Sequence, residues 1–547
     1  MYDSAVDLDL SRNEGRTRAS ELLALVSDPD RAVSRYPDTS GVQTQLAELH
    51  GLEPSRILVT AGGDDALNRC FLGLVDDHHK VVTTYPTFEM IARYAEQRGV
   101  DLIEIPWWEG LFPIDSVLES AGPEVGAVFV VSPNNPTGAV ISESDLRRLA
   151  AAFPFVILDA AYAEFGDEDL THSGLALGNV VVVRTMSKAY GLAGLRVGYL
   201  LGDPETVAKV GAYGSPYPVS ALSASVAESR LRWPAAETET FVARIREERA
   251  SLAGVLAGLG TVPFPSQANF ILTRCDDADW LMDATRSLGV ALRRFPEKPG
   301  MRDMVRITLP GDEDDYDRLV ATLEAALAPQ ALIFDLDGVL ADVSRSQTLA
   351  IIETARTYGV EVTPEDVERA KAEGNANDDW ELTRRLCRLT GVETDLAELI
   401  ERYERIYQGE DGVNGLKREE RALVDPLLWE QWAQRFPLAV VTGRPRKDAE
   451  EFLGRYGFIE RLKALVTRED APAKPSPEPV SLALERLGVS RAWMLGDTRD
   501  DLEAARGAGV VPIGVIAPGD DPVRAMETLR QSARILDRTT DLEELIP

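Results

Sequence analysis

Short apolar runs alternate with amphipathic stretches along almost the whole chain, and that alternation leaves few folds open. Residues 57–60, 80–84, 127–132, 155–159 and 180–184 read as buried strands, with helix-like segments such as 64–74 and 143–152 between them. Such alternation predicts an α/β fold, a mostly parallel sheet with helices on both faces. Ligands of these sheets bind beyond the carboxyl ends of the strands. Residues with chemistry to offer gather there: after Thr60, after Ser132, at Asp159 and after Arg184.

A chain of 547 residues is too long for one core, and about three domains are expected. Residues 1–328 read as one half, with a large domain at about 30–203 and a small domain at about 204–328 that also takes the N-terminal segment. An amphipathic helix over 312–328 closes it, and only Pro329-Gln330 precede the strand 331–335 that opens the second half, 331–547. Two residues make no flexible tether. In the second half a charged, helix-rich stretch at about 344–425 precedes strands at 438–442 and 492–496.

The formal net charge of −32 argues against a nucleic-acid partner, which needs a basic patch. No apolar run reaches about 18 residues and no charged-then-apolar leader opens the chain, so neither membrane insertion nor secretion is expected. Cys70, Cys275 and Cys387 show no paired spacing, which predicts no disulfide frame or zinc knuckle and fits a reducing cytoplasm. His50, His78, His79 and His172 are expected to form no ligand cluster, with His78 and His79 solvated in a loop.

Four features of the first half belong together. Lys188 follows a buried strand in Arg184-Thr185-Met186-Ser187-Lys188, and small residues and Arg196 follow it. Asp159 ends an apolar strand; read alone it could equally be a helix N-cap. Asn135 sits in Ser132-Pro133-Asn134-Asn135-Pro136-Thr137-Gly138, after another strand. Gly62, Gly63 and Asp64 lie between a strand and a helix, where backbone N–H groups and the helix dipole favour a phosphate. A lysine amine, an acid for a ring nitrogen, a donor for a ring hydroxyl and a phosphate cradle are what pyridoxal phosphate (PLP) chemistry asks of a protein.

In this order and spacing the motifs resemble fold-type-I aminotransferases, most of all the histidinol-phosphate aminotransferase family, over roughly residues 8–325. The resemblance implies a PLP-transferase fold in which Lys188 bonds the cofactor and shuttles a proton, and Asp159 faces the pyridine nitrogen. Asn135 or Tyr162 would bond the ring hydroxyl, and Thr185, Ser187 and Arg196 would complete the phosphate cradle. Phe88 would stack on the ring or serve as plain core. Tyr36, in Arg35-Tyr36-Pro37, would reach the phosphate of a neighbouring subunit, which implies a homodimer. Arg306 would hold the carboxylate of glutamate (2-oxoglutarate after transfer) and Arg293 the phosphate of the other substrate, a phosphorylated ketone or amine; a surface ion pair is the plainer reading of Arg293. The family usually opens with an Asn-Glu-Asn-Pro-type segment, whereas this chain has Arg12-Asn13-Glu14-Gly15-Arg16 without proline, so a different lid is implied. Relatives that act on other phosphorylated or aromatic amines stay open.

The second half carries Asp335 and Asp337 at the end of the strand Ala331-Leu332-Ile333-Phe334, with Gly338 turning the chain after them. Thr442 closes a second strand, Lys474 lies in Lys474-Pro475-Ser476-Pro477, and Asp497 and Asp501 follow a third strand, with Asp500 an adjacent alternative. This order resembles the haloacid dehalogenase (HAD) superfamily across 331–547, a Rossmann-like domain with a helical cap. The resemblance implies Asp335 as the nucleophile toward phosphorus, Asp337 as proton donor and then base, Thr442 and Lys474 as phosphoryl contacts, and Mg²⁺ held by Asp335, Asp337, Asp497 and Asp501. A mutase would share the second acid. In the cap, Asn375-Ala376-Asn377-Asp378 is a candidate substrate reader or a plain polar loop.

The expected function is therefore twofold: amino transfer from glutamate to a phosphorylated ketone (imidazole acetol phosphate, giving histidinol phosphate) and Mg²⁺-dependent hydrolysis of a phosphomonoester (histidinol phosphate itself). An unrelated repair or salvage phosphatase, or a phosphate-sensing domain, are the alternatives for the second half.

Overall fold

The computed structural model describes residues 6–17, 19–24, 26, 28–76, 78–372, 378–410 and 414–546. It divides into two compact units: Asp9–Ala278 with Leu292–Arg318, and Leu319–Pro547 with Met1–Leu8 and Asp279–Ala291.

The first unit is built on a seven-stranded sheet in the order Ile57–Thr60, Gly198–Leu201, Val180–Thr185, Val156–Asp159, Val125–Val131, Lys80–Tyr85, Leu102–Pro106. Its strands run parallel except Gly198–Leu201, which is antiparallel to both neighbours. The central strands are apolar on both faces because both are covered: Val128, Val130, Val156, Leu158 and Val182 join one core, and Ala127, Phe129, Val131, Ile157 and Val183 the other. The helix Glu143–Ala152 starts at a capping box in which Ser142 and Asp145 bond each other's backbone. A four-stranded antiparallel sheet, Arg293–Arg294, Met304–Thr308, Phe270–Arg274 and Val262–Pro263, belongs to the same unit.

The second unit centres on a parallel six-stranded sheet, ordered Leu462–Val466, Leu438–Val441, Ala331–Phe334, Ala492–Gly496, Val511–Val515, Arg534–Leu536. Phe334 lies level with Val440 on one side and Leu495 on the other, so Asp335, Thr442 and Asp497 emerge at one edge. The helices Gln347–Thr357, Pro364–Ala372, Asp379–Leu389 and Leu396–Gln408 form the cap around Ile351, Leu382, Leu386, Cys387 and Tyr403. A short antiparallel pair, Ala341–Asp342 with Arg421–Ala422, stands at the base of the cap. Asn375, Ala376 and Asn377 lie outside the described residues.

This unit begins before the junction read at 328–331. The Trp493 indole donates to the Ala325 carbonyl at 2.9 Å, Trp280 packs on Trp493 with ring centroids 4.5 Å apart, and Arg491 pairs with Glu324. Among the described residues no helix is long and apolar enough to cross a membrane.

Candidate active sites

In the first unit a cavity of about 280 Å³ opens where the strands end, lined among others by Gly63, Asp64, Phe88, Asn135, Asp159, Tyr162, Thr185, Ser187, Lys188 and Arg196. Topology explains the convergence. Asp159 ends Val156–Asp159, Thr185 ends the neighbouring Val180–Thr185, and Gly62–Leu74 starts a helix. Buried Arg184 fixes the start of the lysine loop by pairing with Glu164 and Asp169, each at 2.7 Å. Thr185 and Ser187 share a hydroxyl hydrogen bond of 2.8 Å, and Arg196 reaches Asp64 at 2.8 Å. Gly62 stands behind this group at φ +83, in the left-handed region, where a side chain would run into the Arg196 guanidinium.

Asp159 is buried and accepts the Ala161 N–H at 3.1 Å; desolvation pushes its carboxyl up to about 7. Lys188 lies with Nζ 5.5 Å from the Tyr162 ring centroid and donates to the Arg12 carbonyl at 3.4 Å. Arg306 is buried between the Phe270 and Phe295 rings and donates to Asn135 Oδ1 and the Ser11 carbonyl, both at 2.7 Å, while its Nε has no partner. Among the described residues no carboxylate pairs with it. Arg293 faces Arg306 across adjacent strands but is exposed, its guanidinium over Phe295. Tyr36 is 81% exposed and stacks on Tyr217.

The N-terminal segment that lacks the family's proline is nonetheless firmly seated. Asn13 is buried at φ 55, a conformation asparagine tolerates better than most residues. It donates to Tyr162 Oη at 3.0 Å and accepts from Thr308 Oγ1 at 2.8 Å. Arg12 and Glu14 line the cavity, and a side chain at Gly15 would collide with the Lys188 carbonyl. Sequence reading named this segment but missed Asn13 as its anchor; an asparagine two residues before a glycine was the available signal.

In the second unit Lys474 is buried and donates to Asp335 at 2.7 Å and, through a short contact, to Asp501. Asp335, Asp497 and Asp501 bring carboxylate oxygens within 4.8 Å of one another; Asp500 is not in that group. Burial and the charges of Asp501 and Asp335 push Asp497 well above the carboxylate range. Asp501 also closes a capping box with Thr498, which ties the ligand to the start of helix Arg499–Gly507. Thr442 is buried at its strand end, its hydroxyl accepting the Arg444 N–H at 3.1 Å.

The Asp337 carboxylate lies outside that group of three. It accepts from Arg444 Nε at 2.7 Å and from Gln347 at 3.0 Å, and the Arg444 guanidinium holds its carboxyl below the ordinary range. Arg444 in turn pairs with buried Glu420 at 2.9 Å, which also accepts from Tyr407 and Ser346. Nothing in the spacing of Gln347, Glu420 and Arg444 announced this network. Asp76, His78 and His79 also bring ligand atoms within 4.8 Å of one another on the surface, where the sequence suggested no cluster.

The Aminotransferase class I and II profile matches residues 9–323, more than half of the chain. The chain belongs to the class I and II aminotransferase family. The Haloacid dehalogenase-like hydrolase profile matches residues 332–515, so the C-terminal part is a HAD-like hydrolase domain. A histidinol-phosphate aminotransferase of Xanthomonas campestris pv. campestris (strain 8004) is 36% identical over 314 residues, covering 54% of this chain and 86% of that one. An imidazoleglycerol-phosphate dehydratase of Phytophthora nicotianae is 46% identical over 197 residues, 35% of this chain and 44% of that one. The crystal structure of histidinol-phosphate aminotransferase from Sinorhizobium meliloti in complex with pyridoxal-5′-phosphate shares the fold, with a TM-score of 0.54 at 24% identity over 59% of this chain and 91% of that one.

For the aminotransferase, PLP is the cofactor the family implies, and the residues fit it. A buried carboxylate raised by desolvation suits a protonated ring nitrogen. The hydrolase residues fit a divalent cation: Asp335, Asp497 and Asp501 offer three clustered carboxylates, which are hard oxygen donors, and Lys474 pairs with two of them.

Two stability predictions arise here. A carboxyl whose folded pKa lies above the unfolded one costs stability as pH rises between the two values. Without cofactor, Asp159 should therefore destabilise the fold progressively from about pH 4 to pH 7, by up to about 4 kcal/mol. Melts of cofactor-free protein should show Asp159→Asn more stable than wild type at pH 8, with the gap closing toward pH 5; a gap independent of pH refutes the assignment. Arg444→Met leaves Glu420 buried without its cation and should cost the hydrolase domain about 3–5 kcal/mol in urea unfolding. A loss below about 1 kcal/mol would mean that Tyr407 and Ser346 suffice for Glu420.

Proposed function

We propose that the chain catalyses two steps on one phosphorylated metabolite: amino transfer from glutamate to imidazole acetol phosphate, giving histidinol phosphate, and hydrolysis of the histidinol phosphate. The observation that carries the first step is Arg306, a buried guanidinium beside Asn135 with an unpartnered Nε, which suits the carboxylate of an incoming amino acid. The histidinol-phosphate aminotransferase and imidazoleglycerol-phosphate dehydratase relatives support the choice of an imidazole phosphate.

Bound PLP would act as an electron sink for charge that develops at the amino acid's α-carbon. Lys188 holds the cofactor and then carries a proton between carbon centres, Asp159 keeps the ring nitrogen protonated, and Tyr162 and Asn135 orient the ring hydroxyl. Gly63, Asp64, Thr185, Ser187 and Arg196 cradle the phosphate, with Tyr36 serving a second copy in a homodimer. Arg293 steers the phosphate of the ketone substrate.

In the hydrolase, a carboxylate oxygen of Asp335 forms a bond to phosphorus as the ester oxygen leaves. Asp337, in its protonated form, gives its proton to that oxygen and then takes one from the water that cleaves the aspartyl phosphate. Mg²⁺ held by Asp335, Asp497 and Asp501 would offset charge on the phosphoryl oxygens, as Lys474 does. A reducing cytoplasm is the compartment this reading implies, supported by the unpaired Cys70, Cys275 and Cys387.

Purified enzyme given glutamate and imidazole acetol phosphate with Mg²⁺ should yield 2-oxoglutarate and free phosphate together. Hydrolysis of p-nitrophenyl phosphate without hydrolysis of histidinol phosphate would detach the second step and leave a salvage phosphatase.

A further inference from the structure

Between the cap and the second sheet a cleft of about 60 Å³ adjoins Asp337, and it is lined by five carboxylates against two guanidiniums. Both guanidiniums are engaged. Arg444 holds Asp337 and Glu420, and Arg468 bonds Asp378 while lying 4.4 Å from the centroid of the Trp380 ring. Asp379 accepts from the Tyr403 hydroxyl at 2.7 Å and lies in the field of Lys371. That leaves Glu404 and Asp448. Glu404 accepts from the Trp380 indole at 3.2 Å, and the single amide of Gln408 serves both acids, at 3.1 Å to Glu404 and 3.0 Å to Asp448.

Two half-buried carboxylates sharing one neutral donor repel each other and are stabilised by any cation that arrives. The aromatic wall suits the same guest, since an indole face attracts positive charge and already carries one guanidinium here. The position defines what such a guest would be. The cleft runs from Asp337, the acid facing the ester oxygen, into the cap, so it receives the alcohol side of the ester rather than the phosphate.

We propose that this cleft selects phosphomonoesters whose leaving alcohol carries a positive charge, with Glu404 and Asp448 as the specificity-determining pair. The proposal rests on the hydrolase reading above and narrows its substrate class to ammonium- or imidazolium-bearing esters. A neutral or anionic leaving group would leave the two acids sharing Gln408, with Glu404 eased only by Trp380 and the Arg468 charge.

The test compares histidinol phosphate, its N-acetyl derivative and p-nitrophenyl phosphate on the full-length enzyme with Mg²⁺, at pH 6 and pH 8.5. Wild type should prefer histidinol phosphate over the N-acetyl ester by about tenfold or more in kcat/KM at pH 8.5, where acetylation leaves no cation. A preference that vanishes at pH 6, where imidazole is protonated, means that an imidazolium also satisfies the pair; one that persists means that the pair requires the amine. Glu404→Gln and Asp448→Asn should each lower the preference several-fold, and a wild-type thermal melt reports that the variants fold. Equal kcat/KM for the two esters at pH 8.5, or a preference unchanged in both variants, overturns the cleft assignment alone. Absence of Mg²⁺-dependent phosphate release from all three esters by wild type overturns the hydrolase reading and this inference with it.

Discussion

Asp335→Asn is expected to abolish phosphate release from every phosphomonoester while leaving amino transfer at the wild-type rate. Asp335 emerges from the central strand of the six-stranded sheet, buried, with Lys474 2.7 Å from its oxygen. An amide of the same shape keeps the packing but does not attack phosphorus, so the loss should reach at least about 10⁴-fold. The fold should tolerate the change because Lys474 retains Asp501 as its counter-ion. Assaying free phosphate and 2-oxoglutarate on one preparation checks both halves of the expectation. Residual hydrolysis within about tenfold of wild type would mean that another group attacks phosphorus.

The second large effect lies in the other half. Lys188→Ala should lower amino transfer by at least about 10³-fold and leave phosphate release from histidinol phosphate intact. Lys188 is the amine nearest Asp159 and Tyr162 in the cavity, half-buried and in contact with the Arg12 carbonyl of the N-terminal segment. A small primary amine added to the variant should restore part of the rate if the lysine's task is to carry a proton. Wild-type transfer by the variant would remove Lys188 from the chemistry.

Much of this was legible in the sequence because it rests on short-range pattern. Apolar runs flanked by amphipathic segments located five of the seven strands of the first large sheet and three of the six of the second, and the residues just past them became the walls of the two sites. The direction of Gly198–Leu201 was not legible, since four buried residues following the lysine loop carry no sign of which way they run. Asp337 was found, but its partner was not: a guanidinium 107 residues away is invisible to spacing. The cleft acids were hidden for a different reason. Glu404 and Asp448 sit on the polar faces of amphipathic helices, and polar helix faces ordinarily meet water; only the cap's placement turns them inward.

The bond from the Trp493 indole to the Ala325 carbonyl bears on how such a fusion can be undone. Trp493 lies in the strand Ala492–Gly496, which leads straight into Asp497. Cutting the gene at Pro329-Gln330, where the two halves meet in sequence, would strip a catalytic strand of a hydrogen-bond acceptor and bare a buried indole. A freestanding hydrolase would have to take the residues from Leu319 onward with it. The workable cut therefore falls inside the helix Glu313–Leu327 and not in the two-residue link that follows it.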